Sequence, residues 1–289
     1  MKHKFFKRCL PCCSPLSRVL RAGLVLGAVC CLALALGSCG GQTETETASH
    51  SDLPVILVGS DNYPPFHYED ANGQPTGIDV DLAKEAFRRM GYQAMFVTID
   101  WEDKKDLVER GEIDCIWGSF SMDGREEEYQ WAGPYMTSYQ VIAVRTDSDI
   151  YSLQDLEGKT VAVQSTTKPE ELFRKHEDTR IPQLGKVLSL RNRDLIYTFL
   201  SKGYADAVAA HDTAVKQFMK DYDMEYRILE EPLLVVGLGV AFDKKDDRGL
   251  AQKLTETFEE MREDGTMKDI VGTYMEDTDC YLEVRTDET

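Results

Sequence analysis

Residues 53–66 read LPVILVGSDNYPPF and residues 77–83 read GIDVDLA, and the segment that contains these two runs decides the fold. Its apolar run at 53–58 predicts a short β-strand. From residue 81 to residue 90, apolar side chains recur at helical spacing, with Asp81 as the expected N-cap and Gly91 as the expected end of the helix. The segment therefore predicts a strand followed by a loop and a helix.

The rest of the chain continues this alternation of strands and helices. Further strands are predicted at 94–99, 114–117, 141–145, 160–164, 205–210 and 233–242. Further helices are predicted at 104–109, 170–175, 193–200, 213–220 and 247–264. Strands that alternate with helices at this spacing favour parallel sheets, so we expect an α/β protein.

The N-terminal segment has the features of an export signal. An apolar run at 22–37 follows six Lys and Arg residues, and no acidic residue precedes it. The run is shorter than the roughly 20 residues that a membrane span needs. Small residues and Cys39 end the run, a pattern that resembles the lipobox of bacterial lipoproteins, in which this cysteine is acylated. An uncleaved membrane anchor and a plain secretory signal are the alternatives. We expect a lipoprotein signal peptide at 1–38 and a flexible tether at 39–52.

Charge and cysteine content narrow the possible partners. Without residues 1–38, 27 basic residues remain against 51 acidic ones, a net charge of −24 with no basic cluster, which disfavours nucleic acid and anionic lipid. Besides Cys39, only Cys115 and Cys280 remain, and a buried free thiol at Cys115 is favoured over a disulfide between them. The histidines after residue 38 are isolated from one another and from cysteine, so neither a metal site nor a cofactor is predicted.

Four motifs, in this order along the chain, resemble those of one known family. They are SDNYPPF at 60–66, GIDVDLA at 77–83, LGVAF at 238–242 and EDGT at 263–266. Over nearly all of residues 53–275 the chain is similar to the amino-acid-binding proteins of bacterial ABC importers. The resemblance implies the type II periplasmic-binding-protein fold, in which two α/β lobes are joined by two crossover strands. Lobe 1 is then expected at 53–138 and 238–289, and lobe 2 at 139–237.

The resemblance also implies residues that would bind the ligand's carboxylate. Arg125 corresponds to the family arginine whose planar guanidinium grips the α-carboxylate. Ser119 and Ser121 are candidates for a hydroxyl donor, and Gly118 for a backbone contact. The loop before Arg125 is one residue shorter than the common family pattern, which leaves its register open. The alternative interpretation of Arg125 is an ordinary surface arginine in a charged stretch.

A second carboxylate contact is expected from lobe 2. Residues 164–170 follow a predicted strand and open a predicted helix. Thr167 as N-cap and Glu170 three residues later fit a capping box, and the free backbone N–H groups at such a helix start can bind a carboxylate. Gln164, at the end of the strand, is a further candidate. The same residues could serve only as a cap.

The ligand's ammonium group requires an anion. Asp212 is our first candidate, because it lies between a predicted strand and a predicted helix at the cleft end of lobe 2. Family members usually carry this acid one residue earlier, where His211 stands, so His211 is the second candidate. The alternative role for Asp212 is a plain N-cap, worth about 1 kcal/mol.

Aromatic residues are expected to form the wall against the ligand's side chain. All three tryptophans fall within residues 101–131. Trp101 and Tyr63 stand where the resemblance implies pocket aromatics, and Trp117 is a third candidate. Two facing aromatic rings can sandwich a flat or cationic side chain. Ser60 is also a candidate, but it stands where several relatives carry an aspartate, which weakens the case for a basic ligand.

These features together predict a monomeric, lipid-anchored receptor outside the cytoplasm. It would bind a free polar, basic or aromatic amino acid between its lobes and deliver it to the permease of an ABC importer, while the lipid on Cys39 attaches it to the membrane. No catalytic residue is predicted. One alternative is a dehydratase-type enzyme on the same fold, with His211 or Asp61 as its acid. A ligand-sensing module is another.

Overall fold

The computed structural model describes residues 53–283, so the expected signal peptide, tether and lipidated cysteine lie outside the described residues. The described strands are β1 (Val55–Ser60), β2 (Tyr68–Glu69), β3 (Pro75–Thr76), β4 (Gln93–Thr98), β5 (Cys115–Ser121), β6 (Tyr129–Arg145), β7 (Thr160–Gln164), β8 (Lys186–Leu190), β9 (Ala207–His211), β10 (Tyr226–Ile228) and β11 (Leu234–Asp243). Nine of them form one sheet of order β4-β1-β5-β11-β6-β9-β7-β8, in which β10 pairs with β6, while β2 and β3 form a small hairpin.

Eight α-helices cover this sheet in the described part of the chain. They are α1 (Ile78–Arg89), α2 (Lys104–Glu109), α3 (Lys168–Lys175), α4 (Asp194–Ser201), α5 (Asp212–Tyr222), α6 (Leu250–Glu263), α7 (Thr266–Gly272) and α8 (Asp279–Leu282). Two short 3-10 helices, at Trp101–Asp103 and Leu153–Leu156, precede α2 and β7.

The sheet has two parallel ends joined by an antiparallel centre. β1 pairs in parallel with β4 and β5, and β7 pairs in parallel with β8 and β9. In the centre, β11 pairs antiparallel with β5 and β6, and β6 pairs antiparallel with β9. The parallel ends confirm the expected α/β class, whereas alternation of strands and helices gives no indication of the antiparallel centre.

The two long central strands connect two lobes. We define lobe 1 as β1–β5 with α1, α2 and α6–α8, and lobe 2 as β7–β10 with α3–α5. β6 pairs with β11 as far as Gln140 and with β9 from Gln140 to Val144, so it runs from one lobe into the other. The two-lobed fold with two crossover strands is therefore confirmed, while the boundaries at 138 and 237 stay a prediction.

Each lobe has its own hydrophobic core. In lobe 1, the fully buried rings of Phe87, Trp117 and Phe258 pack together, with the Trp117 and Phe258 centroids 5.5 Å apart. In lobe 2, Phe173 of α3 and Tyr197 of α4 belong to clusters on the two faces of the sheet. Burial of one such side chain contributes about 1.5–3 kcal/mol, so each lobe's core stabilises the sheet end that carries its part of the site.

The first helix begins earlier than predicted. α1 starts at Ile78 with Gly77 as its N-cap, and Asp81 lies inside the first turn, where its N–H donates to the Gly77 carbonyl at 3.0 Å. The prediction of Asp81 as N-cap was therefore wrong. Gly77 has a φ of +126°, and a Cβ there would lie 2.2 Å from the Phe66 carbonyl oxygen, so only glycine allows this entry into the helix.

The strand predicted at 141–145 begins at Tyr129 in the structure. Gly133 and Pro134 resemble strand breakers, which hides the first part of β6 from a sequence pattern. They are accommodated because the pairing of β6 with β11 shifts register between Leu238 and Val240, opposite this dipeptide. A proline without an N–H is tolerated at such a bulge.

Three further features concern the whole described region. No helix within residues 53–283 is both long enough and apolar enough to cross a membrane. The same residues contain no group of three or more side chains that could hold a metal ion. Cys115 and Cys280 are free, and burial raises the pKa of the Cys115 thiol.

Candidate ligand-binding site

A small cavity lies between the two lobes. It is lined by Tyr63, Trp101, Ser119 and Ser121 of lobe 1, by Gln140 of β6, and by Gln164, Thr167, Lys168, Pro169, Arg193, Ile196, Ala209, Ala210 and His211 of lobe 2. The enclosed space is about 30 Å³. A water molecule needs roughly 10–15 Å³ by the same measure, so the two lobes are closed on each other.

Polar contacts between the lobes hold them in this closed arrangement. Arg191 of lobe 2 lies 2.8 Å from the carboxylate of Asp100 and 2.9 Å from that of Glu102. Lys104 Nζ donates to Thr166 Oγ1 at 2.8 Å. Burial, followed by the charge of Arg125, lowers the pKa of Lys104 to about 7. The contacts of Arg191 with Asp100 and Glu102 and that of Lys104 with Thr166 each join one lobe to the other, so they form only when the lobes approach each other.

The last part of strand β5, which carries Ser119 and Ser121, is held by a buried carboxylate. Asp79 accepts the Ser119 N–H at 2.7 Å and the Tyr135 hydroxyl at 2.8 Å, and burial raises the pKa of Asp79 to about 7. Ser119 has a φ of +51°, in the left-handed region that is strained for a residue with a side chain. Asp79 therefore fixes the orientation in which Ser119 faces the cavity.

Two predicted residues, Gly118 of β5 and Ser60 of β1, lie next to this part of β5 and do not line the cavity. A Cβ on Gly118 would come within 2.8 Å of Ser60 Oγ and 3.0 Å of the Trp101 ring. Gly118 thus lets strand β5 approach Ser60 and Trp101 closely. Ser60 is fully buried beneath it and donates to the Asp61 carbonyl oxygen at 3.3 Å.

Two of the three predicted aromatic residues form part of the cavity wall. Tyr63 follows β1 and Trp101 begins the first 3-10 helix, and both are almost fully buried. The Tyr63 hydroxyl also accepts the His211 N–H at 3.2 Å, which connects the lobes. Trp117 lies elsewhere, because its ring packs against Phe87 and other core rings of lobe 1.

The structure does not bring Arg125 to the cavity wall. Its guanidinium is 3.3 Å from Glu171 of α3, donates to the Ser121 carbonyl oxygen at 3.3 Å, and lies 5.4 Å from the centre of the Phe120 ring. This arginine is therefore paired with a carboxylate of the protein in the closed state. Ser121, by contrast, lines the cavity.

At the end of β9 the structure separates the two candidates for the ammonium contact. The Asp212 carboxylate accepts from Lys216 Nζ at 2.6 Å and from the Tyr281 hydroxyl, and does not line the cavity. His211 lines the cavity, with Nδ1 2.7 Å from Ser138 Oγ and Nε2 2.8 Å from Gln140 Nε2. Burial, reinforced by the charge of Arg193, lowers the pKa of His211 to about 3, so it is neutral at pH 7.

The start of α3 differs in detail from the predicted capping box. Thr167 is the N-cap, but its hydroxyl donates backwards to the Gln164 carbonyl oxygen at 2.6 Å. Glu170 instead accepts the N–H of Thr166 at 2.6 Å. The predicted capping box was therefore wrong, because both side chains satisfy other backbone groups. Thr167 and Gln164 both line the cavity.

Sequence reasoning missed seven of the described cavity residues and misjudged the partner of one of them, Arg193; the other six are Gln140, Lys168, Pro169, Ile196, Ala209 and Ala210. Arg193, at the start of α4, donates to Asp61 Oδ2 at 3.0 Å, and its guanidinium carbon lies 3.1 Å from the centre of the Tyr63 ring. Gln164 Nε2 donates to the same oxygen at 2.8 Å. Burial acts to lower the pKa of Arg193, but Asp61, Tyr63 and Tyr197 together outweigh it and the pKa is raised. The sequence indicates Asp61 only as the acid of the dehydratase alternative, and no local pattern marks Arg193.

Several buried polar atoms at this place have no partner. Among the described residues they include Asp61 Oδ1, Ser119 Oγ, Gln140 Oε1, Gln164 Oε1 and Arg193 Nε. An unsatisfied buried polar atom costs about 1–3 kcal/mol, so several of them together are unusual for a structural core. Their mixture of acceptors and donors suits a small ligand that carries both kinds of group.

The fold and this interlobe cavity define a two-lobed solute-binding protein. The model of the bacterial extracellular solute-binding proteins, family 3, matches residues 55–277. The chain therefore belongs to this family, as its motifs predict.

Characterised relatives extend over nearly the same length. The chain is 32% identical to the histidine-binding periplasmic protein of Salmonella typhimurium over 249 residues, which cover 82% of this chain and 94% of that protein. It is 27% identical to the arginine-binding extracellular protein ArtP of Bacillus subtilis over 254 residues, 86% of this chain and 96% of that protein. A solved ancestral arginine-binding protein bound to arginine is 28% identical, with a TM-score of 0.69, and the match covers 76% of this chain and 98% of that one.

Proposed function

We propose that this protein is an extracytoplasmic receptor that binds a free amino acid between its two lobes and delivers it to an ABC importer. The observation that carries the proposal is the closed interlobe cavity lined by unpartnered polar atoms from both lobes. Relatives named for histidine and arginine binding support an amino acid as ligand. In this proposal, Tyr63 and Trp101 contact the side chain, and Ser119, Gln140 and Gln164 bind the polar groups.

The energy required is within reach of this site. A micromolar dissociation constant corresponds to about −8 kcal/mol. Each polar atom that gains a partner recovers part of its burial cost, at about 1–3 kcal/mol. Contacts such as the one between Lys104 and Thr166 form only on closure, so ligand binding and lobe closure stabilise each other.

Membrane attachment is part of the proposal. The apolar run that ends in small residues and Cys39 supports a lipid anchor at that cysteine, and the polar segment at 40–52 is long enough to act as a tether. We propose that a single receptor molecule is held in this way beside the permease, at the cell membrane on its extracytoplasmic side.

The dehydratase alternative is less well supported by the site. One solved neighbour, 26% identical with a TM-score of 0.68, is an ancestral amino acid-binding protein described as a precursor of cyclohexadienyl dehydratase. A dehydratase would need a general acid that holds a proton near pH 7. His211, with a pKa of about 3, is neutral there, and the Asp61 carboxylate accepts from Arg193 and Gln164. Neither residue suits the role, which favours binding over catalysis.

A thermal-shift screen against the standard amino acids, followed by calorimetry, tests the proposal. A ligand at 100 times its dissociation constant adds about 2.7 kcal/mol of stability, which a shift in melting temperature reports readily. We expect a shift with at least one amino acid and recovery of that amino acid unchanged. The absence of a shift with every amino acid would contradict the receptor function, and conversion of the ligand to a product would favour the enzyme.

A further inference from the structure

The side chain of Arg193 occupies a pocket that has the composition of a cation site. Its guanidinium carbon lies 3.1 Å from the centre of the Tyr63 ring, and Nη2 donates to Asp61 at 3.0 Å. The residue is only 8% exposed. An aromatic face beside a carboxylate is the arrangement that binds guanidinium and ammonium groups in proteins. In this chain the bound cation belongs to the protein itself.

This arrangement sets the charge that a ligand meets. Within residues 53–283, the side chains that line the cavity include two cations, Lys168 and Arg193, and no carboxylate. Asp61 contacts the cavity-lining Arg193 and Gln164 but is not itself part of the wall. The remaining groups on the wall that accept hydrogen bonds are neutral, among them Gln140 Oε1 and Gln164 Oε1.

The position of Arg193 leads to the same conclusion. Its guanidinium lies against the Tyr63 ring and beside the Asp61 carboxylate, so a second guanidinium or ammonium group has no room at that place. A cationic ligand side chain could reach the Tyr63 ring and Asp61 only by displacing Arg193. That displacement would leave the buried Arg193 without its carboxylate.

We propose that Arg193 determines ligand specificity, because its own guanidinium occupies the cation pocket formed by Tyr63 and Asp61. The receptor therefore selects amino acids whose side chains carry no positive charge. The inference rests on the proposed receptor function and narrows its ligand class. Asp61 and Tyr63 belong to lobe 1 and Arg193 to lobe 2, so the competition takes place as the lobes close. A basic amino acid can enter the open cleft, but it prevents Arg193 from reaching its partners.

The other charges around the cavity do not reverse this preference. Lys168 Nζ is 3.4 Å from Glu171, a carboxylate that also binds Arg125. Lys104 Nζ, a further amine close to the cavity wall, lies 4.8 Å from the centre of the Trp101 ring. A second positive group in the ligand's side chain would therefore find cations and neutral groups there.

Calorimetric titration of the purified protein with arginine, lysine, histidine, glutamine, serine and glutamate tests the inference. We expect the wild type to bind its best neutral or acidic amino acid about 100-fold more tightly than arginine or lysine. The variant Arg193→Gln uncovers Asp61 and should bind arginine at least about tenfold more tightly than the wild type does. Arg191→Gln is the matched control, because it removes an exposed arginine two residues away that also joins the lobes. It should weaken every ligand alike and leave their ranking unchanged.

A second variant keeps the test decisive if Arg193→Gln does not fold. The double variant Asp61→Asn/Arg193→Gln removes both buried charges together and should fold without gaining arginine binding. A wild type that binds arginine or lysine within tenfold of its best ligand would overturn the inference while the receptor function stands. Arginine binding by Arg193→Gln alone, with no ligand for the wild type, would support the inference and contradict the receptor function. Binding of no amino acid by any variant would overturn both.

Discussion

Replacing Asp79 with asparagine should remove a pH dependence of stability that the wild type carries. Asp79 is fully buried, and burial raises its pKa from 3.8 to about 7. Between these two values the folded protein binds more protons than the unfolded chain does. The stability from this group is therefore fully present below about pH 4 and is lost as the pH rises through 7. The shift corresponds to about 4 kcal/mol over the whole window.

Asparagine has nearly the same shape as aspartate but does not titrate in this range. Its side-chain oxygen can still accept the Ser119 N–H, and the Tyr135 hydroxyl can turn to accept from its NH₂ group. Ser119 at the end of β5 should therefore keep its place. We expect the stability of Asp79→Asn relative to the wild type to be about 3 kcal/mol more favourable at pH 8 than at pH 5.

Urea unfolding followed by tryptophan fluorescence at the two pH values measures this difference. The matched control is Glu127→Gln, whose side chain is 99% exposed and should give the same difference from the wild type at both pH values. A stability difference between Asp79→Asn and the wild type that does not change with pH would refute the assignment of a raised pKa to the buried carboxyl.

Three further changes have distinct expected results. Tyr63→Phe removes the hydroxyl that accepts the His211 N–H across the lobes at 3.2 Å. Ligand affinity measured by calorimetry should therefore fall about two- to tenfold. An unchanged affinity would show that this hydrogen bond does not aid closure. Asp212→Asn alters a carboxylate bound to Lys216 outside the cavity; calorimetry should show affinity within about threefold of the wild type, and abolished binding would place Asp212 in the site. Phe258→Ala should lower the free energy of unfolding by about 3–5 kcal/mol in urea titrations, whereas a loss below 1 kcal/mol would contradict its place in the lobe 1 core.

The fold could be predicted because its signals are local. The bounds predicted for α2, Lys104–Glu109, and for β7, Thr160–Gln164, agree with the structure, since each is a continuous pattern of one periodicity. The first part of β6 could not be found in this way. Gly133 and Pro134 are acceptable there only because the partner strand β11 shifts register opposite them, which is a long-range fact.

The site shows the same division between local and long-range information. Motif positions bring Tyr63, Trp101 and Ser119 to the cavity, because each lies at or just after the end of a strand of lobe 1. His211 and Asp212 are adjacent in sequence but face different surroundings, since the chain turns from strand to helix between them. Only the three-dimensional structure shows which of the two faces the cavity.

The role of Arg193 could not be predicted from the sequence for a similar reason. In the sequence it is one of two arginines at the start of a helix, and nothing distinguishes it from the exposed Arg191. Its role depends on Asp61, 132 residues away, and on closure of the other lobe over it. The same closure pairs Arg125 with Glu171. Interactions that depend on the approach of two lobes leave no periodic or spacing signal in a sequence.

A crystal structure of the protein grown with the amino acid that gives the largest thermal shift tests the central claim most directly. The account predicts one molecule between Tyr63 and Trp101, with its polar atoms within about 3.2 Å of the groups that now lack partners, such as Ser119 Oγ and Gln164 Oε1. An amino acid bound anywhere other than between the two lobes, or an interlobe cavity that stays without ligand at saturating concentration, would contradict it.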